Sequence, residues 1–122
     1  MLAIILASLV AASPSTHLTI QPWNGKDLLT TTTSAAKYRL HVTGKPKATI
    51  HLEASQVADG WIAAFCTPTV CAPTRVDVKL PSSGQAEFQF ELIRELDTAV
   101  DHSGAVITTD DGATVSAPQA TR

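Results

Sequence analysis

Apolar side chains recur at every second position along most of this chain. Leu18 and Ile20 alternate with His17, Thr19 and Gln21, the spacing of a strand with one covered face. Pro22 and Asn24-Gly25 end that segment, and the Thr-rich residues 28–34 read as an edge strand. Tyr38, Leu40 and Val42 alternate with Lys37, Arg39 and His41. After a turn at Gly44-Lys45-Pro46-Lys47, Ile50, Leu52 and Ala54 alternate with Thr49, His51 and Glu53. The run Trp61-Ile62-Ala63-Ala64-Phe65-Cys66 does not alternate, and so predicts a short strand covered on both faces. Val76, Val78 and Leu80, a turn over residues 81–84, and then Ala86, Phe88, Phe90 and Leu92 predict a hairpin. Ile93 and Leu96 have helical spacing and predict a closing helical turn. Residues 105–109 and 113–117 flank Asp110-Asp111-Gly112, which predicts a tight hairpin with both central residues at positive φ.

Seven or eight short strands at this spacing imply two packed sheets or a small barrel, of which the sandwich is the commoner form. Composition agrees: 44% of the 122 residues are apolar and 16% charged, enough burial to offset the cost of ordering one core. The segment Asp59-Gly60-Trp61, the strand ending at Phe65, residues 76–84 and Phe88-Gln89-Phe90 resemble immunoglobulin-like accessory modules of bacterial secreted and cell-surface proteins. In those modules a tryptophan strand precedes a "valine-x-leucine, turn, glycine" hairpin. The resemblance implies an all-β, immunoglobulin-like or fibronectin-III-like antiparallel β-sandwich of about seven strands. It also implies adhesion, carbohydrate-associated or spacer roles and carries no catalytic residue set.

The start of the chain adds a compartment. Residues 2–12, LAIILASLVAA, are apolar or small and are followed by Ser13-Pro14-Ser15. With Val10 and Ala12 as the small residues a signal peptidase reads, this predicts a signal peptide over residues 1–12 and a single sandwich domain over residues 13–122. The run is shorter than the about 20 residues of a membrane span, so no span is expected after cleavage. The protein is expected to be secreted, periplasmic or displayed at the cell surface. Leu80-Pro81-Ser82-Ser83-Gly84 lacks the Thr of a wall-sorting signal and reads as a turn.

Net charge is −2, without the basic footprint that nucleic acid requires. Residues 13–84 carry seven bases and four acids, and residues 85–122 carry two bases and seven acids, an asymmetry compatible with self-association. Cys66 and Cys71 are the two cysteines, and in an exported chain they predict one disulfide pinning a strand end.

Candidate chemistry is sparse. A blue-copper site needs a Cys with two His ligands, usually with an axial Met, yet no His follows the cysteines before His102 and the only Met is Met1. His41 and His51 become a weak metal pair only if their strands are neighbours. Asp110-Asp111-Gly112 lacks the remaining acids of a calcium loop and reads as a turn. Glu87 and Glu91 share an outward strand face as solvating charges. No nucleophile, zinc or phosphate-loop motif occurs, and no cofactor is expected. Trp61 belongs to the core. Trp23, between Pro22 and Asn24-Gly25, either caps one end of the sandwich or anchors a protein or carbohydrate partner. The expected function is therefore a non-catalytic binding module, with a structural subunit of an extracellular assembly as the alternative and an enzyme without a recognisable motif as the third reading.

Overall fold

The computed structural model describes residues 15–23, 35–68, 70–95 and 103–119. Nine strands are assigned among them: β1 His17–Pro22, β2 Ala35–Thr43, β3 Thr49–Ser55, β4 Trp61–Cys66, β5 Cys71–Pro73, β6 Arg75–Lys79, β7 Gln85–Arg94, β8 Val106–Thr109 and β9 Thr114–Ser116. They form two antiparallel sheets, a five-stranded sheet ordered β1-β2-β7-β4-β5 and a four-stranded sheet ordered β6-β3-β8-β9. The predicted signal segment and the Thr-rich residues 28–34 lie outside the described residues.

Alternation explains which side of each strand is buried. On β2, Ala36, Tyr38, Leu40 and Val42 point inward, and on β3 Ile50, Leu52 and Ala54 do the same. These meet Phe65, Phe90, Leu92, Val78 and Ile107 from the other strands in one core, with Trp61 5% exposed within it. Phe90 holds the centre, its ring 5.0 Å from Phe65 and 6.0 Å from Tyr38 between centroids. The tilted rings suit the edge-to-face preference of aromatic quadrupoles. Tyr38 has a polar tip to satisfy, and its hydroxyl donates to the Pro118 carbonyl and lies 3.4 Å from the Ser103 hydroxyl. Burial pushes its pKa up, against a smaller lowering by Ser103.

Several expectations are corrected. Residues 76–80 and 86–92 are not a hairpin: β6 pairs with β3, whereas β7 lies between β2 and β4 in the other sheet. The connection is an arch that crosses the core, and it runs beside a second arch from β2 to β3. Gly44 N donates to Gly84 O at 2.8 Å and Leu80 N to Ala48 O at 2.8 Å, so each arch supplies the hydrogen-bond partners the other lacks. Period-2 alternation looks the same in a hairpin and an arch, because both keep one apolar side per strand.

Ile93 continues β7 and pairs with Ala35 and Ile62, so it is strand and not helical turn; Leu96 lies outside the described residues. β4 is not covered on both faces along its length, since Ile62 is 44% exposed. The β8–β9 connection is a hairpin, but of its turn residues only Gly112 has a positive φ.

β5 and β6 are joined where the chain changes sheets at Thr74. Its N–H donates to Ala63 O in one sheet at 3.0 Å, and its carbonyl accepts from Ala54 N in the other at 2.8 Å. The φ of 71° at this residue costs on the order of 1 kcal/mol for a non-glycine, and the two hydrogen bonds hold it in place.

Candidate functional site

Strand alternation that fills the core also determines what the five-stranded sheet shows to solvent. Lys37, Arg39 and His41 on β2 stand beside Glu87, Gln89 and Glu91 on β7, with register pairs Lys37 and Glu91, Arg39 and Gln89, His41 and Glu87. Lys37 Nζ lies 3.8 Å from Glu91 Oε1 and Arg39 Nη1 lies 3.6 Å from Glu87 Oε1. Gln89 Nε2 donates to Glu91 Oε1 at 2.6 Å. The exposed Arg39–Glu87 pair adds little stability. Together the two pairs set opposite charges side by side on this face.

Trp23 is set on that face. Its N–H extends the β1–β2 ladder by donating to Lys37 O at 3.0 Å, and Arg39 Nε donates to its carbonyl at 3.2 Å. The Arg39 guanidinium carbon lies 4.8 Å from the indole centroid, within range of a cation–π contact worth about 0.5–1 kcal/mol at an exposed site. Trp23 is half-buried and outside the core cluster. It does not plug the end of the sandwich, because its strand has already turned it onto the outer face. Trp23, Pro68, Glu87, Phe88 and Gln89 line a groove of about 220 Å³ together with Cys66 and Thr67.

Cys66 and Cys71 form the disulfide, on directly opposed residues of β4 and β5 with Cα atoms 4.0 Å apart. The bridge closes the short loop whose Thr67 N–H donates to Val70 O at 2.8 Å, and so sets the wall of the groove at Pro68.

The two histidines are not brought together. β2 and β3 belong to different sheets, so His41 and His51 face solvent on opposite sides of the sandwich. His51 instead meets Asp77, its register partner, at 2.6 Å from Nδ1 to Oδ1, and its Nε2 is 3.9 Å from Asp110 Oδ2. The Asp77 hydrogen bond and charge, with a weaker effect of Asp110, raise the His51 pKa, favouring the imidazolium that both carboxylates stabilise. A depression of about 400 Å³ surrounds this cluster on the outer face of the four-stranded sheet, with Glu53, Arg75 and Thr108 among its walls. It is larger than the Trp23 groove; in it Arg75 reaches Glu53 at 4.0 Å and His51 lies between Asp77 and Asp110, and no Trp, Tyr or Phe is among its lining residues. Among the described residues no group of three or more His, Cys, Asp or Glu side chains is arranged to hold a metal ion.

The residue pattern marks Glu87 only as a solvating charge and does not single out Arg39, Gln89 or Pro68. The outward positions of Arg39, Glu87 and Gln89 follow from period 2, but their convergence on Trp23 depends on which strands are neighbours, and Pro68 is placed by the disulfide loop. His102 lies outside the described residues.

No protein-family model matches the chain, and no curated protein matches it. Among solved structures it is similar to a FixG-related protein from Vibrio parahaemolyticus, with a TM-score of 0.57 at 8% identity, covering 90% of this chain and 98% of that one. A copper-bound PCuAC domain from PmoF2 gives a TM-score of 0.37 at 9% identity, covering 88% of this chain and 87% of that one. A structural-genomics target gives 0.35 at 7% identity, covering 84% and 80%. The last two are too distant to argue from. The first is a likeness of fold alone, extending over nearly the whole of both chains.

Proposed function

We propose that the protein is an exported, immunoglobulin-like module that presents the outer face of its five-stranded sheet to a protein or glycan partner and turns over no substrate. The observation that carries this reading is Trp23, a large aromatic held against Arg39 at the rim of an open groove. Tryptophan and arginine are the residues most enriched where binding energy concentrates, and a pre-positioned pair loses little side-chain entropy on binding.

The strand order supports the immunoglobulin-like part. β1-β2-β7-β4 follow one another as the first, second, fifth and fourth strands of a constant-type sandwich do, and β3-β8-β9 as the third, sixth and seventh. β5 and β6 are then an insertion between the fourth and fifth strands. Export is supported by the apolar residues 2–12 and by the disulfide, a bond that persists in oxidising compartments. Intact mass of the exported protein tests this part: a chain starting at Ser13 is expected, and one starting at Met1 contradicts it.

The test of the binding surface compares two tryptophans. Trp23→Ala is expected to lose about 0.5–1 kcal/mol of stability with its Arg39 contact and to lose retention of the protein on extracellular material of the producing cells. Trp61→Ala is expected to lose about 3–5 kcal/mol of stability, the scale of a large aromatic removed from a core. Retention unchanged in a folded Trp23→Ala variant refutes the assignment.

A further inference from the structure

We infer that the groove beside Trp23 takes a single sugar ring of a neutral glycan. This rests on the reading of the outer sheet face as the binding surface and narrows its partner. Size comes first. At about 220 Å³ the groove falls below the about 300–1,000 Å³ of sites that enclose a drug-sized ligand, so it fits one ring-sized unit whose continuation lies outside.

Charge comes second. Arg39 is paired with Glu87 and Lys37 with Glu91, so these four described charges of β2 and β7 are already compensated, and a charged partner would have to break those pairs. The distribution of polar and apolar walls comes third. Trp23, Pro68, Phe88 and Cys66 contribute apolar side chains to the lining, and Glu87 and Gln89, which already pair with Arg39 and Glu91, contribute polar ones. A pyranose has the complementary form, an apolar C–H face bounded by hydroxyls that both donate and accept. A proline-rich peptide calls for a longer aromatic-lined groove, and a peptide adding as a strand would engage a sheet edge rather than this face.

The test is affinity electrophoresis of the full chain through gels holding neutral polysaccharides (β-glucan, xylan, galactomannan) or anionic polygalacturonate. Retardation by a neutral polysaccharide is expected, insensitive to salt, weakened about two- to tenfold by Trp23→Ala, the scale of a lost aromatic contact, and partly restored by Trp23→Phe. Circular dichroism of each variant shows that it is folded. No retardation in any neutral gel, or retardation only by polygalacturonate that fades with salt, overturns the inference. Where Trp23→Ala still abolishes retention on extracellular material, the sugar assignment fails alone and the binding face stands. Neutral polysaccharide bound equally by Trp23→Ala overturns both.

Discussion

Asp111 occupies a turn that the residue pattern marks as nothing more, yet its carboxylate fastens the start of β1. Oδ2 accepts from the Ser15 and Thr16 N–H groups at 3.2 and 3.0 Å and from the Ser15 hydroxyl at 3.1 Å, and Oδ1 accepts from the Thr109 hydroxyl. The Thr109 bond holds the carboxyl well below the usual carboxylate range; burial opposes it, and the weaker bonds from Thr16 and Ser15 add to the lowering. A folded pKa below the unfolded value stabilises above the unfolded pKa, near 4, and that stabilisation fades as pH falls toward the folded pKa. Wild type is therefore expected to melt above Asp111→Asn at neutral pH, with the gap narrowing below about pH 4; a gap constant into strong acid contradicts the role of the charge. Gly84 is a second residue whose role depends on a distant partner. At φ 74° a Cβ there would come within 2.5 Å of Gly44 O, whereas at Gly112, φ 95°, it would meet nothing within 4 Å. Both substitutions to Ala pay about 1–2 kcal/mol for the left-handed backbone, and Gly84→Ala is expected to cost clearly more in denaturant unfolding. Equal costs would mean that the two arches are not held in contact there.

At the scale of elements, inward residues were legible and neighbours were not. Tyr38, Leu40 and Val42 were assigned to one face by alternation alone, and Glu87 and Glu91 to the other, as found. Alternation carries no information on whether residues 81–84 return the chain within a sheet or carry it across to the other, because both paths leave Leu80 and Ala86 facing the core side. The same gap hid the site: Trp23 was legible as a candidate from its place beside turn residues, but Arg39 and Gln89 become its surroundings only once β1, β2 and β7 are adjacent. The cysteine pair was legible because two cysteines in a chain read as exported leave one intrachain pairing. Across the six-residue loop from Cys66 to Cys71, reduction is expected to remove about 2 kcal/mol on the chain-entropy estimate. It should also free the Pro68 wall, so a Cys66→Ser, Cys71→Ser variant should stay folded yet bind its partner more weakly. Unchanged binding would show that the bridge serves stability alone.

At the scale of the molecule, the two sheets differ in what they offer. The four-stranded sheet presents His51, Asp77, Glu53 and Arg75 paired across β3 and β6, with Asp110 beside them, and no Trp, Tyr or Phe among the residues lining its depression. Its edge strand β6 carries Arg75, Asp77 and Lys79 outward, charges that discourage edge-to-edge association. The five-stranded sheet presents Trp23, its stacked arginine and a groove walled by the disulfide loop. The account holds that partners bind this second face, and comparison of the faces tests it most directly. Retention on extracellular material is to be measured for a double variant of each, Arg39→Ala with Gln89→Ala and His51→Ala with Thr108→Ala, both verified as folded. The account predicts that the first is released and the second retained. Release of the second with retention of the first would contradict it.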